Sequence, residues 1–377
     1  MTEKEILITT EKDLAELCQE AQKTDVIALD TEFVWEKTFY PRLGLIQMAL
    51  SDERCYLIDP LSIQDLRALG TVLKDRRVMK ILHDAPQDLA ILHRATGVAA
   101  QNVFDTRLAA GFASLPATLS LAHLVKGLLD IDLVKDATRT NWLKRPFSKA
   151  QVQYALDDVR YLRAVRVILL SRMIGPQIKS WLQEELNLLN NPATYDIFNE
   201  KDRFRRIAGS SKLDRPGLAI LRDLALWRNK VAQEKDRPRG HIVADKYLVE
   251  IARTRPNDET TLQKTRLPEK AMCRYGKDIL KVVSTALAED KSTYPRQKER
   301  VRLNKQQQSF LENLDGSISL KCELLGIDPS LLGNKNEFKQ LAKTLLTEGG
   351  AAGIQTRQMS GWRKDFLKGF FSDLPEK

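Results

Sequence analysis

Two acidic residues, Asp30 and Glu32, interrupt the otherwise apolar, strand-like segment VIALDTEFVW from Val26 to Trp35. Side chains on a β-strand alternate between its two faces, so we expect both carboxylates on the same face. Like charges placed side by side repel each other unless a cation lies between them, and a divalent metal ion with oxygen ligands is the usual cation. A strand end that carries ordinary solvent-exposed acids explains the pair equally well.

A third acid, Asp88, lies in the segment HDAPQDLAIL, where a helix is predicted to begin near Pro86. The helix dipole favours an acid in the first turn whatever its other role, so this position alone indicates a structural residue. Asp84, at the end of the preceding predicted strand, is a rival for any metal-binding role.

The segment QVQYALDDVRYLRAV is predicted to be a helix that carries a fourth acid and a tyrosine. At about 100° per residue, Tyr154 and Asp158 fall together at the edge of its apolar stripe and are neighbours on one face. Asp157 falls nearly opposite the stripe and is expected to be solvated. A boundary tyrosine without a catalytic role fits the pattern as well. The stripe comprises Val152, Ala155, Leu156, Val159 and Leu162.

Four acids and a tyrosine within one α/β domain suggest a two-metal site. Such sites hold two divalent ions about 3.5 to 4 Å apart, one to activate water and one to stabilise the leaving oxygen. This arrangement suits phosphodiester cleavage, which depends on positioning and charge stabilisation. No serine-histidine-aspartate order, P-loop or dinucleotide fingerprint competes with it. The isolated histidines are interpreted as structural: His83, His93, His123 and His241.

The composition describes a folded protein of two or three domains: 377 residues, of which 43% are hydrophobic and 29% charged. The formal charge of +10 favours an acidic partner such as nucleic acid. Four scattered cysteines without zinc spacing indicate reduced thiols. The charged N-terminal segment and the lack of a run of roughly 18 apolar residues predict a cytoplasmic protein with no membrane association.

The elements that must position the acids alternate between strand and helix. Strands are predicted at Glu5–Thr10, Val26–Phe33, Leu43–Leu50, Cys55–Pro60, Val78–Asp84 and Asn102–Asp105, and helices at the segments between them, such as Ile63–Leu73 and Pro86–Arg94. The fold class is α/β, with antiparallel strands first. Only helices are predicted after Pro192. The domain prediction is 1–192, 211–290 and 305–377.

Three segments resemble the exonuclease motifs of the DEDD superfamily, in the subtype with a tyrosine in the third motif: DTEF with TFYPRLGLIQ, LHDAPQDL, and YALDDVRYL. NWLKRPFSKAQVQYALDDVRYL and the closing GWR (Gly361 to Arg363) resemble the ribonuclease D family in particular. The resemblance spans the whole chain. It implies a ribonuclease H-like exonuclease domain followed by two all-α HRDC (helicase and RNase D C-terminal) domains.

The resemblance implies a role for each acid. Four acids would be ligands of two divalent cations, Mg²⁺ or Mn²⁺: Asp30, Glu32, Asp88 and Asp158. Tyr154 would orient the attacking water. Asp88 is chosen over Asp84 because family members carry the ligand acid directly before Leu or Ile. The chain departs from the family at Asp84 and Pro86, where small residues are common, and it keeps the ligand position at Asp88.

The implied reaction is hydrolysis at the 3′ end of RNA, with release of 5′-mononucleotides and precursor tRNA as substrate. No obligate protein partner is indicated. A DNA exonuclease and a catalytically silent binding module are the alternatives, and the intact set of acids argues against the second.

Basic residues beside the helical domains could contact phosphates without reading sequence. Ordinary solvated faces are an equal alternative. The candidates are Arg203, Arg205 and Arg206 before the first helical domain and Arg296, Lys298, Arg300 and Arg302 in the second linker. Trp227 and Trp362 have apolar neighbours at helical spacing and are interpreted as core residues rather than base-stacking platforms.

Overall fold

The computed structural model describes residues 7–133, 140–196, 202–297, 301–348 and 356–370. The chain divides into two compact units. One, here called the sheet unit, comprises Met1–Phe33, Leu43–Tyr195 and Val301–Lys377. The other, here called the helical unit, comprises Val34–Arg42 and Asp196–Arg300. Within the described ranges no helix has the length and apolarity needed to cross a membrane.

A six-stranded mixed sheet forms the centre of the sheet unit. Its strands are β1 (Leu7–Ile8), β2 (Val26–Val34), β3 (Arg42–Ala49), β4 (Cys55–Ile58), β5 (Met79–Leu82) and β6 (Val103–Asp105), in the order β1-β4-β3-β2-β5-β6. β3 and β4 pair antiparallel, whereas β1 is parallel to β4, and β5 is parallel to both β2 and β6. The predicted α/β class with antiparallel strands early in the chain is confirmed.

The register of β2 places its acids beyond the end of a neighbouring strand. Val26, Ile27 and Ala28 pair with Met79, Lys80 and Ile81 of β5. β5 ends one residue later, at Leu82, while β2 continues to Val34. The part of β2 that pairs with β5 is buried and apolar, so hydrophobic burial fixes the strand there. The carboxylates are left at the end of the sheet, beyond the last residue of β5.

Helices surround this sheet: α1 (Glu11–Ala21), α2 (Arg67–Lys74), α3 (Pro86–Thr96), α4 (Thr106–Gly111), α5 (Leu121–Leu129), α6 (Lys149–Arg160), α7 (Leu162–Arg172) and α8 (Pro176–Leu188). Thr10 caps α1 by accepting a hydrogen bond from the Asp13 amide at 3.1 Å. The helix predicted from Ile63 begins only at Arg67, because Asp59 accepts the Leu61 amide and holds a turn there.

The helical unit contains α9 (Arg215–Glu234), α10 (Arg239–Ile242), α11 (Asp245–Thr254), α12 (Glu259–Gln263) and α13 (Glu269–Ala288). Buried Arg228 joins two of these helices, since its guanidinium lies 2.7 Å from the Asp245 carboxylate. Trp227 is half-buried and packs edge-to-face against Tyr275, with 5.6 Å between ring centroids. This environment agrees with its interpretation as a packing residue.

The last helices, α14 (Lys305–Leu325), α15 (Lys335–Glu348) and α16 (Gly361–Leu367), pack within the sheet unit. Trp362 is fully buried, with its ring 5.5 Å from that of Trp181 and 5.2 Å from that of Phe112. Its predicted core role is therefore confirmed. The C-terminal helices share a core with the α/β part of the chain, and the division into three domains stays a prediction.

Candidate active site

Three of the four predicted ligand acids lie together at the end of the sheet. Asp30 and Glu32 extend from β2, and Asp158 comes from α6, which packs on β4. One carboxylate oxygen from each of the three lies within 4.8 Å of the others. Carboxylate oxygens at this separation are suited to share a divalent cation.

Asp88 lies close to this cluster but is held differently. It is in the first turn of α3, is 8% exposed, and accepts a hydrogen bond from the Thr31 hydroxyl. Strand alternation puts Thr31 on the opposite face from Asp30 and Glu32, so the sequence pattern does not predict this contact. It is possible because β2 runs past the end of β5 and α3 begins at that same end.

Burial and repulsion by neighbouring acids raise the pKa of all four carboxyls. Desolvation is the largest cause at each, and the other acids add to it at Asp30, where the pKa is raised well above its usual range. The pKa of Glu32 rises to about 9, and those of Asp88 and Asp158 to about 7. Among the described residues no lysine or arginine forms an ion pair with any of the four. Within the described ranges the cluster therefore has no cationic ion-pair partner, and divalent cations would supply that charge.

Tyr154 and Asp158 are neighbours on α6, as their spacing predicts. Tyr154 acts on Asp158 by lowering the pKa of its carboxyl through hydrogen bonding, and the Tyr154 ring packs on Trp142 with 6.0 Å between centroids. The prediction for Asp157 is wrong, because its side chain is only 14% exposed. Arg160 covers it at 3.3 Å and the Gln153 amide donates to it at 2.9 Å, both from the same helix.

Asp84 takes no part in the cluster. Its carboxylate pairs with Arg107, and its backbone adopts a positive φ of 61°. The loop is held by buried Asp105, which accepts the amides of Asp84 at 3.1 Å and Ala85 at 3.0 Å while it also caps α4. Asp105 therefore fixes where α3 begins and so where Asp88 lies. Sequence reasoning missed this residue, although an aspartate just before TRLAAG is a recognisable helix cap.

The predicted RNA-binding residues are only partly described. Arg203, Arg205 and Arg206 form one turn of the helical unit, in which the Arg205 guanidinium lies 3.1 Å from Asp202. It also donates to the backbone carbonyl of Arg296 at 2.9 Å, so the two predicted groups meet within this unit. Arg302, in the sheet unit, is exposed. Lys298 and Arg300 lie outside the described residues.

Family models match two parts of the chain. A 3′-5′ exonuclease family covers residues 6–174, and the HRDC domain family covers residues 217–283. The first match contains the sheet and all four acids, and the second lies within the helical unit. Together with the carboxylate cluster, these matches define a 3′–5′ exonuclease that carries an HRDC domain.

Comparison with individual proteins identifies the family more closely. Ribonuclease D of Desulfotalea psychrophila is 52% identical over 367 residues, 97% of either chain, and ribonuclease D of Escherichia coli is 34% identical over 293 residues, 77% of either chain. The crystal structure of E. coli RNase D, an exoribonuclease involved in structured RNA processing, superimposes with a TM-score of 0.81 at 28% identity and covers 96% of either chain. This chain belongs to the ribonuclease D family and is a metal-dependent 3′–5′ exoribonuclease.

Proposed function

We propose that Asp30, Glu32, Asp88 and Asp158 hold two divalent cations, Mg²⁺ or Mn²⁺, at which the 3′-terminal phosphodiester of RNA is hydrolysed. The observation that carries this proposal is the group of three carboxylates within 4.8 Å of one another, to which Asp88 is added by its electrostatic coupling to Asp30. When bound, such cations stabilise the charge that develops on the phosphate and lower the pKa of water.

The protein's own part of the reaction is to hold and to orient. Asp105 fixes the loop before α3, and the Thr31 hydroxyl holds Asp88. Tyr154, which lies one turn before Asp158 on α6, orients the attacking water by a hydrogen bond. In this role the hydroxyl acts as a hydrogen-bonding group rather than as a base.

The substrate that fits this assignment best is a precursor tRNA, trimmed from its 3′ end to release 5′-mononucleotides. The formal charge of +10 favours a polyanionic substrate. Within the helical unit, Arg203, Arg205, Arg206 and Arg296 would contact phosphates, and Lys298, Arg300 and Arg302 extend the same basic segment. The division 1–192, 211–290 and 305–377 and a cytoplasmic location complete the proposal.

The assignment can be tested with precursor tRNA labelled at either end and with single-stranded DNA as comparison, each in Mg²⁺, Mn²⁺ or EDTA. We expect immediate release of a labelled 5′-mononucleotide from the 3′-labelled RNA, stepwise shortening of the 5′-labelled RNA, and no reaction in EDTA. Hydrolysis in EDTA would refute the metal assignment. A preference for DNA would refute the substrate.

The phosphate contacts have a test of their own. A triple change to glutamine, at Arg203, Arg206 and Arg296, should weaken tRNA binding. It should also reduce the slope of log affinity against log salt concentration by about 2, since each lost phosphate contact contributes roughly 0.7 to 0.9 to that slope. The matched control changes three exposed basic residues elsewhere in the helical unit, Arg253, Arg274 and Lys277, to glutamine. An equal effect of both triple variants would rule out a local contact.

A further inference from the structure

Arg145 joins three segments of the sheet unit. Its guanidinium makes two hydrogen bonds to the Asp59 carboxylate, at 2.7 and 2.6 Å. It also donates to the backbone carbonyls of Gly44 in β3, at 2.6 Å, and of Trp142, at 2.8 Å. Asp59 is 2% exposed, so the ion pair is well shielded from water. One side chain therefore fixes the backbone of Trp142 against β3 and the turn after β4.

The close approach of Trp142 to β3 depends on a glycine. A Cβ atom added at Gly44 would lie 2.7 Å from the Trp142 carbonyl oxygen and 2.8 Å from its Cβ, closer than such atoms approach one another. A larger residue at position 44 would push Trp142 away from the strand. Gly44 and Arg145 thus act together on the same backbone.

The Trp142 indole forms one wall of the space that holds Tyr154. It is 1% exposed, and its ring centroid lies 6.0 Å from that of Tyr154, with an angle of 38° between the rings. Its Nε1 has no hydrogen-bond partner among the described residues. Since no hydrogen bond to a described residue orients the indole, its backbone anchor and the surrounding packing determine where it lies.

We propose that Asp59, Arg145 and Trp142 are positioning residues for the reaction: they fix the ring of Tyr154 and thereby the direction of its hydroxyl. This inference rests on the proposed role of Tyr154. A hydroxyl shifted by a fraction of an ångström would make a poorer hydrogen bond to the attacking water, and misplacements of about 1 Å can cost up to a hundredfold in rate.

The test is a double-mutant cycle between positions 145 and 154. Lysine in place of Arg145 keeps the charge but cannot bind a carboxylate with two hydrogen bonds and two carbonyls at the same time. We expect Arg145→Lys to lower kcat about fivefold with little change in KM. In the Tyr154→Phe background, which lacks the hydroxyl, the same change should have less than about a twofold effect.

The matched control is Arg77→Lys, which alters another two-bond arginine–aspartate pair, with Asp75, on the surface of the same unit. It should leave kcat unchanged. If Arg145→Lys fails to fold, Trp142→Phe provides the same cycle, and it leaves no hydrogen-bond partner stranded because the indole N–H has none among the described residues.

The outcomes separate the two proposals. Coupling between positions 145 and 154 supports the positioning role. Equal losses in both backgrounds would overturn it and leave the role of Tyr154 intact. Unchanged kcat in Tyr154→Phe alone would remove the proposed role of Tyr154, and the positioning role with it.

Discussion

Carboxylates removed from water have opposite environments in two regions of the sheet unit. At the end of β2, Asp30 and Glu32 face other acids, and their pKa values are raised. In α8, Glu185 is 7% exposed, accepts the Trp362 indole N–H at 2.6 Å and pairs with Arg363. Burial raises the pKa of Glu185, but the hydrogen bond and charge of Arg363 lower it more, so the net pKa falls below its usual value.

The difference separates a site for binding from a site for folding. A buried carboxylate whose counter-charge is part of the chain stabilises the fold, and removing either partner leaves an uncompensated charge. Buried carboxylates without a counter-charge destabilise the chain until a cation arrives from solution. Glu185 therefore serves to attach the C-terminal helices, whereas the environment of the acids around Asp30 suits the proposed metal site.

The largest expected effect follows from removing one acid of the cluster. Asp30→Asn or Asp158→Asn should lower the rate of mononucleotide release by roughly a thousandfold or more, because the charge that develops on the phosphate loses its stabilisation. RNA should still bind without added metal. Metal-free thermal stability should be unchanged or higher, because a neutral amide replaces a carboxyl whose ionised form the cluster disfavours. Full activity in either variant would contradict the assignment.

The opposite pattern is expected at Glu185. Glu185→Gln should lower the free energy of unfolding by about 3 kcal/mol, since the Arg363 charge stays buried without its partner, while kcat at a temperature where the variant is folded stays unchanged. Glu184→Gln, a substitution of the neighbouring acid that accepts the Trp362 amide at 3.0 Å, serves as the milder comparison. A fall in kcat without a loss of stability would show that Glu185 acts in the reaction and not in folding.

This loss should depend on pH with a definite sign. The folded-state pKa of Glu185 is lowered, so its stabilisation is complete above the unfolded-state pKa of about 4.3. It disappears as the pH falls through the lower folded-state value. Urea unfolding of wild type and Glu185→Gln should therefore differ at pH 7 and converge in acid.

Added metal should stabilise the protein only through the carboxylate cluster. At a cation concentration 100 times the dissociation constant, binding contributes about 2.7 kcal/mol. Mg²⁺ or Mn²⁺ should raise the melting temperature of wild type and of Glu185→Gln equally, whereas Asp30→Asn and Asp158→Asn should respond weakly. A response that persists in the cluster variants would place the cation elsewhere.

Local periodicity was enough to predict the pairs within single elements. Alternation along β2 predicts that Asp30 and Glu32 share a face, and helical spacing predicts the contact of Tyr154 with Asp158. Both depend only on the geometry of one strand or one helix. The resemblance to known exonuclease motifs then selected Asp88 over Asp84.

Contacts between distant segments could not be predicted in this way. The hydrogen bond from Thr31 to Asp88 depends on where β5 ends relative to β2. The pairing of Glu185 with Arg363 joins residues 178 positions apart and brings the predicted third domain into the sheet unit. No periodicity within one element carries information about either contact.

The smallest expected effect concerns Tyr154, whose partner Asp158 belongs to the cluster although the tyrosine itself carries no charge. Tyr154→Phe keeps the ring against Trp142 and removes one hydrogen bond, so kcat should fall about tenfold, equivalent to about 1.4 kcal/mol. Metal-dependent stabilisation should be retained, because all four carboxylates remain. The measurement is kcat together with the melting temperature at several Mg²⁺ concentrations. A weaker response to metal, instead of a lower kcat, would make Tyr154 a support for the metal ligands and not a group that acts on water.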